Sequence, residues 1–185
     1  MNNEEHRYRG RYLGISERSG WEFATRVNAR EVAVLVALTD AKELVLVEQY
    51  RVPVSRNVIE LPAGLVGDHG DPNEPTLEAA QRELIEETGF SAGRLTELLS
   101  CPSSAGMSDE IITFYLAEEL KQIGPGGGDA SEDIRVHRVS LDTACDWLGA
   151  RGEEGYYLDP KVYAAVLWLE RLSRGQVACP GPEIL

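Results

Sequence analysis

The chain has 185 residues, enough for one domain of ordinary size with a sizeable core and too few for two independent ones. Its 31 Asp and Glu outnumber 18 Lys and Arg, leaving a formal charge of -13 that excludes the basic stripe a nucleic-acid backbone requires, though not a small anion held through a metal. No stretch approaches the ~18 apolar residues of a membrane span, and the first six residues carry no apolar signal core, so the expected location is cytoplasmic.

Residues 1–30 read as an N-terminal extension, 31–175 as the principal domain and 176–185 as an ordinary tail. The β-branched runs 32–38 and 44–47, joined by Thr39-Asp40-Ala41-Lys42-Glu43, predict a buried hairpin. Residues 58–61 predict a further strand, which runs through Glu60-Leu61-Pro62-Ala63-Gly64 into a Gly-rich turn. A helix is expected over 75–88, with Leu77, Ala80 and Leu84 forming its apolar face and Gly89 supplying the stop. Beyond it come strands over 95–99, 111–116 and 134–139, with Gly124-Pro125-Gly126-Gly127-Gly128 as a flexible loop before the last of them. Helices follow at 141–150 and 159–174, the second with Asp159 as its N-cap and Pro160 at its first position. Strands around one central helix, closed by helices at the end, predict an α/β fold: a mixed β-sheet sandwiched between α-helices. The cysteines Cys101, Cys145 and Cys179 are odd in number, widely separated and without C-x-x-C spacing, as expected of reduced structural thiols.

Most of the chemistry is concentrated in Arg82-Glu83-Leu84-Ile85-Glu86-Glu87-Thr88-Gly89-Phe90. At about 100° per residue, Glu83 and Glu87 lie about 40° apart on the helix, and Glu86 falls about 60° to the other side of Glu83. Adjacent like charges repel unless a cation joins them. Hard carboxylate oxygens select Mg2+ or Mn2+, ions that keep waters and bind substrate phosphates.

With Glu74 eight positions before Arg82, this stretch resembles the Nudix box, and every position from Glu74 to Phe90 matches the family pattern. One departure precedes it: nine residues, not five, separate Gly64 from Glu74, a four-residue loop insertion whose closure cost is small. The resemblance implies the same α/β/α sandwich and hydrolysis of a phosphoanhydride. It assigns the cation to Glu83, Glu86, Glu87 and the carbonyl of Ala63, and gives Arg82 the task of orienting the acids.

Four further segments resemble the ADP-ribose and nucleoside diphosphate sugar pyrophosphatase branch: Trp21-Glu22-Phe23, Val47-Glu48-Gln49-Tyr50-Arg51, Ser108-Asp109-Glu110, and the run from Ser131 and Glu132 to His137. They nominate Arg51 for bidentate contact with phosphate, Trp21 for stacking on adenine, and Glu110 for holding substrate or a water on the cation. Glu132 or Glu86 would be the general base, on a loop that closes over substrate in the case of Glu132. Ala105 stands where many ADP-ribose hydrolases carry proline, which keeps other nucleoside diphosphate sugars open. The expected reaction converts ADP-ribose to AMP and ribose 5-phosphate. Alternatives are a GDP-mannose or dinucleotide (NADH) pyrophosphatase, or a sensor that binds ADP-ribose without cleaving it. The branch also implies a homodimer with N-terminal strands crossing to the partner.

Overall fold

Side chains alternate between the two faces of a strand, so a strand covered on both faces is apolar at nearly every position. The two runs of the predicted hairpin have that pattern. A computed structural model describes residues 4–29, 31–67, 70–128, 132–176 and 183–184. Its elements in chain order are β1 (Glu4–Arg9), β2 (Leu13–Arg18), β3 (Trp21–Arg26), β4 (Glu31–Leu38), β5 (Glu43–Arg51), β6 (Arg56–Glu60), β7 (Ala63–Val66), α1 (Thr76–Thr88), β8 (Phe90–Ser91), β9 (Arg94–Pro102), β10 (Ile111–Glu118), β11 (Lys121–Gln122), β12 (Ile134–Ser140), α2 (Ala144–Glu153), β13 (Tyr157–Leu158), α3 (Pro160–Ser173) and β14 (Glu183–Ile184).

The β4–β5 hairpin is paired only next to its turn, Ala37 with Val45 and Leu38 with Leu44. Beyond that the strands part. Strand β4 pairs antiparallel with β7 and parallel with β10, which continues the sheet to β9 and β14. Strand β5 pairs antiparallel with β6 and β12, and β6 pairs parallel with β13. The sheet thus opens between two halves, and the segment from β6 through Leu61 and Pro62 to β7 crosses from one half to the other.

Alternation along β4 divides the interior. Ala33, Leu35 and Ala37 meet Ala79, Ala80 and Leu84 of α1, whereas Val34 and Val36 belong to the core that holds Leu148 of α2 and Val162, Val166 and Leu169 of α3. The predicted sandwich is therefore present, with the sheet between α1 and the α2–α3 pair. Complete burial of each such Leu or Val stabilises the fold by roughly 1.5–3 kcal/mol.

The central helix ends as expected: Gly89 adopts the left-handed conformation at φ 75° and its N–H closes on Ile85 O. The last helix begins on its cap, with Asp159 Oδ1 accepting from Lys161 N at 2.8 Å, while Asp159 N donates to Ile59 O and ties the cap to β6. Helix α2 begins and ends three residues later than expected, because residues 141–143 form a turn of 3-10 helix before it. The N-terminal extension forms an antiparallel sheet in the order β1-β2-β3, joined to the main body through backbone bonds from Ala24 N to Met107 O and from Asp109 N to Ala24 O. The tail contributes β14, which pairs with β9.

The glycine run, expected to be a flexible loop, is docked. Gly127 N donates to Glu87 O at 2.8 Å and Gly128 N to Glu86 O at 3.0 Å, satisfying carbonyls that the end of α1 leaves without helical partners. A side chain at position 126 could not be accommodated: its Cβ would stand 2.5 Å from the Thr88 carbonyl carbon, and Gly126 has φ +67°. Asp68 and His69 of the inserted loop, Ser131 and Cys179 lie outside the described residues. Cys101 and Cys145 are free thiols, the second exposed. Among the described residues no helix is long and apolar enough to cross a membrane.

Candidate active site

Helix α1 lays its glutamates against β7. Glu83 is buried, and a Cβ at position 64 would fall inside its carboxyl group, so Gly64 is the residue that lets a helix carboxylate reach the strand backbone. Arg82 organises the surroundings. Its Nε donates to Glu74 Oε1 at 3.0 Å, Nη2 to Glu74 Oε2 and Leu65 O, and Nη1 to Glu83 Oε1 at 2.7 Å and Glu86 Oε2 at 3.2 Å. Burial opposes its charge, but the bonds and field of Glu74 and Glu83 prevail and raise its pKa above the ordinary value. Glu74 also accepts from Gly67 N at 2.9 Å, so the four-residue insertion leaves the Glu74–Arg82 contact intact.

Glu87 is the most deeply placed of the helix acids, with 3% of its surface exposed. Burial, with the nearby charges of Glu83 and Glu132, pushes its carboxyl from 4.5 up to about 8, against the bond from Ala63 N at 3.0 Å and the attraction of Arg51. Such a group welcomes either a proton or a cation. Among the described residues no three acidic, His or Cys side chains already converge on one point, and Arg82 is bonded to both Glu83 and Glu86. The donor set nonetheless fits a hard divalent ion. Three carboxylates and the Ala63 backbone line one concavity, and all supply oxygen.

That concavity is a cleft of about 440 Å³ at the parting of β4 and β5. Into it the fold brings Arg51, Ala63, Glu83, Glu86, Glu87, Glu110 and Glu132, every nominated site residue except Trp21. Arg51 pairs with Glu60 at 2.6 Å, and Glu110 pairs with Arg26 at 2.5 Å. Glu132 accepts from Gln49 Nε2 at 3.4 Å. Trp21 is 65% exposed and lines a separate hollow of about 370 Å³ with Arg18, Phe23, Ala105, Ser108 and Asp109, its indole N–H directed at Gly106 O.

Sequence reasoning missed three wall residues, Arg26, Glu60 and Lys161. Glu60 stood within the quoted segment before Gly64, unassigned. Lys161, paired with Asp159 at 2.5 Å, stands two positions after that helix cap. Arg26 ends the last strand of the extension, and nothing in its local sequence signals the cleft; only the docking of β3 beside residues 107–110 carries it there.

The cleft therefore combines hard oxygen donors for a cation, guanidinium and ammonium groups for phosphate, and carboxylates able to take a proton. Known proteins resemble this chain in sequence and in fold. The profile of the NUDIX domain matches residues 29–158. The chain is 38% identical over 140 residues to an ADP-ribose pyrophosphatase of Bacillus subtilis (strain 168), an overlap of 75% of this chain and 71% of that one. It is 34% identical over 137 residues to the methanol dehydrogenase activator of Bacillus methanolicus, covering 74% and 70%. A crystal structure described as an ADP compounds hydrolase superposes over 95% of both chains with a TM-score of 0.72 at 24% sequence identity. With a matching box, a cleft built on it and relatives of this identity, the chain belongs to the NUDIX domain family as a Nudix hydrolase.

Proposed function

We propose that the protein hydrolyses the diphosphate bond of ADP-ribose, or of a closely related nucleoside diphosphate sugar, giving AMP and ribose 5-phosphate from the former. The observation that carries this reading is the convergence in one cleft of the helix glutamates with Arg51, Glu110 and Glu132, three residues contributed by segments outside the box. Similarity to an ADP-ribose pyrophosphatase supports the same choice.

Glu83, Glu86, Glu87 and the Ala63 carbonyl would hold Mg2+, or Mn2+. When bound, such an ion supplies neutralisation of diphosphate charge and acidification of water. Arg51, whose Glu60 partner fixes its direction, binds phosphate oxygens. Arg82 keeps Glu83 and Glu86 oriented. Glu132 or Glu86 takes the proton of the attacking water as the water oxygen bonds to one phosphorus and the bridging P–O bond breaks. Glu110 holds substrate or a water on the cation. Trp21 stacks on adenine, contributed across a homodimer from the hollow beside Phe23. We read the enzyme as cytoplasmic.

The test is release of nucleotide from ADP-ribose, ADP-glucose, GDP-mannose, NADH and dATP with Mg2+, for wild type and Glu87→Gln. ADP-ribose preferred, with turnover lost in the variant, supports the proposal. A preference for dATP refutes it. Similarity to the methanol dehydrogenase activator favours a second reading, in which the chain regulates another enzyme. Binding of ADP-ribose with no cleavage under Mg2+ or Mn2+ would decide for that role.

A further inference from the structure

Within Val47-Glu48-Gln49-Tyr50-Arg51 only Arg51 lines the cleft. Glu48 turns to the opposite face of β5, where it is buried against His137 Nε2 at 2.9 Å and Asn57 Nδ2 at 3.1 Å. Tyr50 is exposed. Gln49 remains, and neither the metal ligands nor the phosphate contacts give it a task.

Its surroundings supply one. Gln49 Nε2 donates to Glu132 Oε1 at 3.4 Å, and its own buried Oε1 has no hydrogen-bond partner among the described residues. On the other side of the same carboxylate lies Gly128, where an added Cβ would stand 2.5 Å from Glu132 Oε2 and 2.7 Å from Glu132 Cβ. The carboxylate is thus lodged between an amide and the bare face of a glycine. Described residues on either side of it in the chain make backbone bonds of their own. Gly127 and Gly128 are bonded to the carbonyls of Glu87 and Glu86, Ile134 N returns to Gly127 O at 3.3 Å, and Ile134 is in register with Gln49 on β5. These bonds hold Gly127 and Gly128 to the end of α1, and the pairing holds Ile134 to β5 beside Gln49.

We infer that Gln49 is a positioning residue, which with the bare face of Gly128 sets the Glu132 carboxylate at the cleft wall before substrate arrives. The inference rests on the reading of Glu132 as acceptor of the water proton. A glutamine suits that task in both of its stages. The amide N–H donates to the carboxylate, and after proton transfer a rotated amide accepts from the new O–H through Oε1. A side chain of the same shape without polar atoms does neither.

The experiment measures kcat and KM for ADP-ribose with Mg2+ in wild type, Gln49→Met, Glu132→Gln and the double variant, with thermal midpoints to confirm folding. Displacing a reacting group by about 1 Å costs on the order of 10²-fold, so Gln49→Met is expected to lower kcat about 10- to 100-fold while KM changes less than about twofold. In the double variant turnover falls no further than in Glu132→Gln, because Gln49 acts only through that carboxylate. The inference is overturned if Gln49→Met turns over like wild type while Glu132→Gln is crippled, or if the losses of Gln49→Met and Glu132→Gln multiply. Wild-type turnover in Glu132→Gln would instead remove Glu132 as the base, a distinct failure in the underlying reading.

Discussion

Glu87 ties stability to pH through one buried carboxyl, and on the proposed function to the cation as well. Its pKa of about 8 in the folded chain against 4.5 as the ordinary value means that the folded protein holds this proton more tightly than the unfolded chain does. The stability it contributes is therefore complete below about pH 4.5 and is lost progressively as pH rises to about 8. At about 1.36 kcal/mol per unit, the loss by pH 9 is on the order of 5 kcal/mol. Glutamine cannot ionise and can still accept from Ala63 N. In urea unfolding with a chelator, Glu87→Gln should then be more stable than wild type at pH 9, with the advantage vanishing near pH 5. Cation binding must displace the same proton, so titration with Mg2+ near pH 7 should release about one proton per chain, read as a dependence of the calorimetric heat on buffer ionisation enthalpy. Parallel stability curves for wild type and variant between pH 5 and 9 would refute the assignment of the shift to Glu87.

Gly64→Ala should abolish most turnover, on the order of 10²-fold, because the new methyl displaces the Glu83 carboxyl; titrating activity with Mg2+ would show it as weakened cation binding. Arg82→Met removes the guanidinium shared by Glu74, Glu83 and Glu86, and a destabilisation of roughly 2–4 kcal/mol is expected in urea at pH 7, with a change under about 0.5 kcal/mol contradicting its organising role. Trp21→Ala should leave the unfolding midpoint almost unmoved because the indole is largely exposed, yet raise KM for ADP-ribose several-fold if stacking operates; unchanged KM would remove Trp21 from the site.

Periodicity made the central elements legible. Leu77, Ala80 and Leu84 at helical spacing, Gly89 as stop and the Asp159-Pro160 start are local signals, and each names a contact that α1 or α3 makes with its own residues or the nearest layer. The short strands β7, β8, β11 and β13 carried no such signal. Strand β7 contains Ala63 and Gly64, poor strand formers, and exists because β4 offers it a partner once the hairpin has parted. The glycine run misled for a related reason: low side-chain content suggests freedom, whereas here it allows backbone to dock on backbone at the end of α1.

For the site, the sequence alone determined which carboxylates share a helix face, because a 3.6-residue repeat is a property of the local chain. It also determined that they precede a glycine stop and that oxygen ligands of this kind suit a divalent ion. Tertiary structure decided the rest. It gave Glu87 its burial, brought Arg26 and Lys161 to the cleft wall, and set Trp21 in a separate hollow from the helix glutamates. Those outcomes depend on where β4 and β5 part and on how β3 docks against residues 107–110, which are long-range pairings. Desolvation and charge proximity act through space between residues distant in sequence, so no local pattern encodes them.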